Sequence, residues 1–333
     1  MFEGKKVLIT GGTGSLGKAL TKKILETDVQ TIRIFSRDEW KQSQMESNFD
    51  DDRLRFLIGD VRDKDRLSRA CEEIDIVIHA AALKHVPVAE YNPFEAVKTN
   101  VHGSQNLIDA CLENNVSVAL AIGTDKAVSP LNTYGATKLL MERLFVSANF
   151  YKGSRKTKFL CVRYGNVLGS RGSLVPKLIQ QISNNEKLTI TNPNMTRFNI
   201  TMEQALQLIF RALKNGSGGE IFIPKLKAYK VGDIKNAITE LMNSSSETHS
   251  IPIRAGEKLH ESLINPDEIR KTFETNDDYV LIENQEKIYE NEKVKSYKIS
   301  SLKEQYSSDK VSLLTSDELK KILLEENLIK QSF

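Results

Sequence analysis

The chain has 333 residues, 40% of them hydrophobic and 27% charged, with a formal net charge of +3. These values suit a soluble globular protein of one large domain plus a smaller lobe, and so small a charge gives no reason to expect nucleic acid as a partner. No apolar run reaches the roughly 18 residues of a membrane span, and the start "MFEGKKVLIT" lacks the basic and apolar segments of a secretory leader, so no membrane partner is expected. The three cysteines, Cys71, Cys111 and Cys161, lie far apart, which fits a reducing cytoplasm better than a disulfide frame. The five histidines have no close pairing with them, and no metal is expected.

In chain order, short apolar runs alternate with helical patterns. Lys5–Thr10, Thr31–Ser36, Leu54–Gly59, Asp75–Ala82, Val116–Gly123 and Phe159–Val167 read as buried parallel strands. Between them, segments such as "GKALTKKILET" and "GSQNLIDACLENN" carry apolar residues at helical spacing. Strand and helix in alternation predict an α/β fold with a doubly wound parallel sheet, of the Rossmann type. Beyond about Gly169 the alternation weakens, and the stretch from Phe273 to Lys310 is rich in Asp, Glu, Lys and Asn. Residues 1–167 are therefore read as a dinucleotide-binding domain, rejoined by part of about 199–235. Residues 168–333 are read mainly as an interleaved substrate-binding lobe. At the end, Thr315 and Glu318 form a capping box for a helix running to Lys330, with Leu319, Ile322 and Leu323 as its apolar stripe.

The turn after the first strand, "TGGTGSLG", spaces Gly11, Gly14 and Gly17 as G-x-x-G-x-x-G, with Thr13, Ser15 and Leu16 between them. Glycines allow a tight turn and let amides approach a pyrophosphate, and the following helix adds its positive end. Its place at the start of a strand–helix–strand pattern makes this signal specific. The second strand ends at Ser36 and Arg37, with Lys41 and Gln42 one helical turn on. An NAD enzyme usually carries an acid here, whereas Arg37 and Lys41 offer cations for a 2′-phosphate, so the expected cofactor is NADP+. Asp38 and Glu39 suit a helix start, where acids are favourable. Asp60 and Val61 end the third strand and can flank the adenine; Ala80 and Ala81 end the fourth and are small enough for the cofactor to lie close.

Further on stands "GTDKAVSPLNTYGATK". Tyr134 and Lys138, four apart, share one helix face. A cation beside a phenol favours the phenolate, which makes Tyr134 a base for a sugar hydroxyl. Thr124, at the carboxyl end of the fifth strand, can hold the same oxygen. Simple hydride chemistry does not need Asp125 and Lys126, which stand just ahead.

At these residues the chain resembles the extended short-chain dehydrogenase/reductase family. Within it, the chain is similar to the inverting, 5-epimerising UDP-N-acetylglucosamine 4,6-dehydratases that open the route to pseudaminic acid. The resemblance runs through "ITGGTGSLGK", "FSRDEWKQSQM", "IGDVRD", "HAAALKHVPVAEYNPFEAVKTN", "TDKAVSPLNTYGATK", "RYGNVLGSRGSLVP", "NPNMTRF", "GEIFIPK", "RAGEKLHE" and "EQYSSD", in order along nearly the whole chain. It implies UDP-N-acetylglucosamine as substrate and a homo-oligomer, dimer or hexamer. It also implies a reaction that uses all the residues above. Oxidising C4 of the sugar to a ketone acidifies the C5 proton, the C6 hydroxyl then leaves, and the hydride returns at C6. That needs a base at C5 and an acid at C6. Lys126, if neutral, is the expected base, and Asp125, if protonated, the expected acid; the resemblance implies the same roles. Many related dehydratases that retain configuration have Asp-Glu at this place, so Lys126 is associated with inversion, with Tyr134 a candidate to reprotonate the opposite face.

A sugar nucleotide also needs cations for its diphosphate. Arg197 and Arg254 are candidates for it, Asn166 for a phosphate or sugar oxygen, and Leu174, Val175 and Pro176 for the base. Glu257 is a candidate for the ribose, and Lys84 for the sugar or the nicotinamide. His79, His85 and His260 are read as packing or hydrogen-bonding residues. Two other readings stay open from the residues: a UDP-sugar 4-epimerase or C5-retaining dehydratase, and a non-catalytic NADP-binding protein.

Overall fold

The computed structural model describes residues 1–170, 172–254, 256–283 and 296–329. Residues 284–295 of the polar stretch, and Lys330 of the expected terminal helix, lie outside these. The first half alternates as the sequence predicts: β1 (Lys6–Thr10), α1 (Ser15–Leu25), β2 (Thr31–Ser36), α2 (Glu39–Phe49), β3 (Leu54–Ile58), α3 (Lys64–Cys71) and β4 (Ile76–His79). Two short helices, α4 (Val86–Tyr91) and α5 (Pro93–Ala96), lead through a π-helical turn at Val97–His102 into α6 (Gly103–Glu113). Then come β5 (Val118–Ile122), the long α7 (Thr133–Tyr151) and β6 (Lys158–Val162). The fourth and sixth strands stop short of the expected Ala82 and Val167. Each ends where its neighbour does, His79 opposite Thr10 and Val162 opposite Ile122, so nothing continues the ladder. The residues freed in this way become the walls of a cleft.

In the second half, α8 (Leu174–Ser183), β7 (Leu188–Ile190) and β8 (Thr196–Phe198) precede α9 (Met202–Asn215) and β9 (Glu220–Pro224). After them come β10 (Ala228–Lys230), α10 (Val231–Leu241), β11 (Thr248–Ser250), β12 (Ser262–Ile264) and α11 (Pro266–Ile269). The remaining elements are β13 (Thr272–Glu274), β14 (Asp278–Ile282), β15 (Lys298–Ile299), β16 (Tyr306–Ser307) and α12 (Ser316–Glu325). The main sheet runs β15-β13-β14-β9-β6-β5-β4-β1-β2-β3. From β9 to β3 it is parallel, while β14, β13 and β15 extend it antiparallel. Those three strands come from the stretch read as lobe. Its charges masked a strand, "DYVLI", in which Val280 and Leu281 face opposite layers and are both buried.

The sheet is covered on both faces. Leu8, Val77, Leu107, Ala110 and Phe145 pack in one layer, with α3, α6 and α7; Val7, Ile9, Leu20, Ile24 and Ile209 pack in the other, with α1 and α9. Consecutive strand residues point to opposite sides, so a strand buried on both faces must be apolar throughout. A separate core of Val175, Leu178, Tyr229, Ile234, Ile238, Leu319 and Leu323 holds α8, α10 and α12 together. The capping box at Thr315 and Glu318 is present.

One polar cluster ties these parts together. Arg163, just past β6, is 1% exposed. Its guanidinium donates to Glu142 of α7 at 2.8 Å, to both oxygens of Glu268 of α11 at 3.0 Å, and to the Leu263 carbonyl of β12 at 2.9 Å. Every N–H of the guanidinium is used and both carboxylates accept from it, the hydrogen bonding under which buried ions are tolerated. Arg163→Met leaves two buried carboxylates without a counter-ion and is expected to cost about 3–5 kcal/mol. The shift of the urea unfolding midpoint measures this, and a loss below about 1 kcal/mol would contradict it.

Candidate active site

The strand order reverses between β1 and β4, and there a cleft opens at the carboxyl ends of the strands. Its outer part, about 480 Å³, is lined by Gly11, Thr13, Ser36, Arg37, Lys41, Asp60 and Val61, among others. Its inner part, about 300 Å³, is lined by Gly14, Ser15, Leu16, Gly17, Ala80, Ala81, Lys84, Thr124, Tyr134, Lys138 and Asn166, among others. Gly11 leaves β1 at φ +67°, and a Cβ there would lie 2.8 Å from the Ala81 nitrogen. One on Gly17 would lie 2.3 Å from the Gly12 carbonyl oxygen. No side chain caps α1. A bare helix start on a turn too tight for side chains fits the pyrophosphate of a dinucleotide.

At the rim, Asp38 is taken up by its own helix. Its carboxylate accepts from the Lys41 amide at 3.0 Å and pairs with the Lys41 ammonium. Arg37 is largely exposed, with its guanidinium 3.6 Å from Asp60. Gln42 departs from expectation. It is buried, and its amide donates to the Ser36 carbonyl, the Ser36 hydroxyl and the Leu57 carbonyl at 3.0–3.1 Å. It braces the ends of β2 and β3 and does not line the cleft.

Asn132 caps α7, accepting from the Gly135 amide at 2.8 Å. A Cβ on Gly135 would lie 2.1 Å from the Lys126 carbonyl oxygen, so this glycine lets the helix press against the turn at Asp125–Ala127. The same turn of α7 buries Tyr134 and Lys138 on one face. A hydrogen bond joins Tyr134 to Thr124, but the phenol does not become acidic. Burial pushes it up to about 12, against the pull of Lys126 and of that hydrogen bond. Lys138 was expected to do the lowering; instead its ammonium donates to the Met141 sulfur at 2.8 Å, and burial draws it down to about 8. For a phenol this deep, leaving water costs more than one nearby cation returns. His79 is buried too, between the Thr10 hydroxyl at 2.7 Å and the Ser104 hydroxyl at 3.1 Å; burial lowers it to about 3, so it is neutral.

Asp125 and Lys126 sit beneath Thr124 as an ion pair. The Lys126 ammonium lies 3.0 Å from Asp125 Oδ1 and 3.3 Å from Oε1 of Glu261, and both carboxylates are almost wholly buried. The neutral lysine expected from the sequence is not the form this arrangement favours. Burial draws Lys126 down, but Asp125 and Glu261 outweigh it and hold it above the ordinary lysine value. Asp125 moves up, from burial first and from the like charge of Glu261, despite Lys126. For Glu261 burial also acts upward, but Lys126, Arg197 and Lys258 prevail and hold it below the ordinary range.

Beyond this cluster lies the second cavity. A region of about 270 Å³ is lined by Lys84, Asn166, Leu174, Val175, Lys177, Arg197, Arg254 and Glu257, among others; Pro176 is not on its wall. It adjoins a cavity of about 750 Å³ bounded by Lys126, Asn132, Asn166, Arg197, Arg254, Glu257 and Glu261. Arg197 is fixed by donating to the carbonyls of Thr196, Lys258 and Leu259 at 2.7–3.1 Å. The expected residues are thus brought together, apart from Gln42 and Pro176. Three positions were missed. Glu261 and Lys177 fell within or beside quoted blocks, but nothing local singled them out. Asn100 clamps the Leu83 amide and carbonyl at 2.8 and 2.9 Å and reaches Thr137 of α7 at 3.0 Å, setting the wall that carries Lys84.

A family model described as polysaccharide biosynthesis protein matches residues 7–283. The chain belongs to that family. The chain is 51% identical over 285 residues to a UDP-N-acetylglucosamine 4,6-dehydratase (inverting) of Campylobacter jejuni subsp. jejuni, covering 84% of each chain. It is 38% identical to a UDP-glucose 4-epimerase of Rickettsia rickettsii over 336 aligned positions, 99% of this chain and 98% of that one. Among solved structures, Pen from Bacillus thuringiensis superposes with a TM-score of 0.92 at 38% identity, over 99% of this chain and 100% of that one. The fold is the doubly wound Rossmann type of the extended short-chain dehydrogenases/reductases. Among the described residues, no helix is long and apolar enough to cross a membrane, and no group of three or more His, Cys, Asp and Glu is placed to hold a metal ion.

Proposed function

We infer that this chain is a UDP-N-acetylglucosamine 4,6-dehydratase that inverts C5, yielding UDP-2-acetamido-2,6-dideoxy-β-L-arabino-hexos-4-ulose. One observation carries the reading: a buried acid, Asp125, paired with a partly exposed lysine, Lys126, stands directly beside Thr124 and Tyr134. An epimerase needs only the hydride site. Water loss needs the additional pair, and the 51%-identical relative bears the name of that reaction.

A nicotinamide dinucleotide in the cleft would supply reversible hydride acceptance. Gly11 to Gly17 would hold its pyrophosphate, with Asp60, Val61, Ala80 and Ala81 flanking the rest. Tyr134, bonded to Thr124, takes the proton of the C4 hydroxyl as its phenolate; its own phenolic proton must first pass to the neutral amine of Lys138, a form that burial brings within reach. Once C4 is a ketone, C5 is acidic enough for Lys126 to take its proton. Asp125 protonates the C6 hydroxyl, which leaves as water. Arg197, Arg254 and Lys177 receive the diphosphate, Leu174 and Val175 the base, and Glu257 the ribose. On this reading residues 1–167 with about 199–235 hold the dinucleotide, and most of the remainder holds the sugar nucleotide.

Arg37 and Lys41 make NADP+ the cofactor, because Asp38, the acid that would serve a 2′-hydroxyl, is spent on capping α2. Arg37→Ala is expected to weaken NADP+ binding about tenfold or more, since a hydrogen bond between charged groups contributes about 1.5–3 kcal/mol. NAD+ binding should change less than about twofold by that logic. An equal loss for both dinucleotides, measured by fluorescence titration, would contradict the assignment.

For the reaction itself, the purified protein is incubated with UDP-N-acetylglucosamine in heavy water and followed by NMR. The expected product has a C6 methyl group, a C4 ketone and deuterium at C5 in the inverted configuration. A product retaining its C6 hydroxyl, with C4 inverted, would identify an epimerase.

A further inference from the structure

Glu261 has no part in the chemistry just described, yet it is 3% exposed and faces the cavity beside Lys126. Its backbone is fixed through Ser308: the Glu261 amide donates to the Ser308 hydroxyl at 3.0 Å, and the Ser308 amide donates to the Glu261 carbonyl at 2.8 Å. Its carboxylate is used differently. Oε1 meets Lys126 at 3.3 Å, and Oε2 is buried with no hydrogen-bond donor among the described residues. A buried carboxylate oxygen without a donor costs free energy, roughly 1–3 kcal/mol or more for a charged group. A carboxylate kept only for stability would have donors arranged around it, as Glu142 and Glu268 have in the Arg163 guanidinium.

We propose that Glu261 is a positioning residue for the elimination step: it is the fixed anion that raises the proton affinity of both Lys126 and Asp125, so that Lys126 is basic enough to take the C5 proton and Asp125 can hold a proton to give to the C6 oxygen. The inference rests on the dehydratase reading above. Before the step, the proton on Lys126 Nζ crosses 3.0 Å to Asp125 Oδ1. An N–H bond breaks, an O–H bond forms, and the total charge is unchanged. Lys126 is then a neutral amine and Asp125 a carboxylic acid. The amine takes the C5 proton, the C5–H pair passes into the ketone as an enolate, and the enolate expels the C6 oxygen with the Asp125 proton as water. Lys126 is again an ammonium and Asp125 a carboxylate. Glu261 stays ionised throughout. Its like charge disfavours the Asp125 carboxylate, and its opposite charge receives the Lys126 ammonium when the C5 proton arrives.

The charged groups acting on Glu261 are Lys126 and Asp125 from the turn after β5, Arg197 from β8 and Lys258 from the segment before β12. Only the first two are asked to exchange a proton. Removing the negative charge makes the Lys126–Asp125 pair bind each of its protons less tightly. Both limbs of the pH–rate profile therefore move to lower pH.

The test uses the full-length enzyme with NADP+ and UDP-N-acetylglucosamine. In Glu261→Gln, both limbs of the kcat/KM profile should shift down by about one pH unit, the scale expected of one charge at this range. Glu261→Asp keeps the charge but withdraws it by one methylene, and should shift both limbs the same way by less. This variant decides the matter if the glutamine protein does not fold. Unchanged limbs, whatever the turnover, would make Glu261 a structural residue and overturn the proposal. Wild-type enzyme that leaves the C6 oxygen in place would instead overturn the dehydratase reading beneath it.

Discussion

The site is organised around a single ammonium ion shared by two buried carboxylates. Lys126 is the cation, Asp125 comes from its own turn, and Glu261 comes from the far half of the chain. Burying these charges is tolerable only because they are buried together. The arrangement places several demands on its surroundings. The turn at Asp125–Ala127 must lie against α7, which only a glycine at position 135 permits. The segment before β12 must close over the sheet, which Arg197 secures by holding the carbonyls of Lys258 and Leu259.

The same motif recurs behind the site with a different cation. Arg163 also lies between two buried carboxylates, Glu142 and Glu268, and also joins the sheet to the later half of the chain. The two cations differ in what they can give up. A guanidinium keeps its proton at any pH the protein meets, so the Arg163 cluster can only hold the structure together. An ammonium can lose its proton to a carboxylate whose own affinity has been raised, so the Lys126 cluster can do chemistry. Tyr134 and Lys138 are shifted in opposite directions by one cause, burial, which disfavours the charged form of each.

Much of this was legible in the sequence because it is written locally. The glycine turn, the apolar strands and the Tyr-x-x-x-Lys spacing each concern residues within one or two turns of one another. Thr124, Asp125 and Lys126 were legible for the same reason, since they follow a strand directly. What failed was whatever depends on orientation or on distant partners. Gln42 lies near the cofactor cleft in sequence, but it turns inward and its amide bridges two strand ends. Lys138 shares a face with Tyr134, yet its ammonium reaches Met141. Glu261 stands 135 positions from Lys126 and meets it only because the chain folds back, which no spacing rule encodes. The strands at Thr272–Glu274 and Asp278–Ile282 were hidden by neighbouring charges, although Val280, Leu281 and Ile282 form a buried apolar run.

The central claim is that one cleft both oxidises the sugar and removes its water, with the C4 hydrogen kept inside the site throughout. The most direct measurement uses UDP-N-acetylglucosamine carrying deuterium at C4, turned over in ordinary water. The account predicts that the deuterium appears in the C6 methyl group of the product, while C5 takes its hydrogen from solvent. Deuterium lost to the water, or a methyl group free of it, would contradict the account.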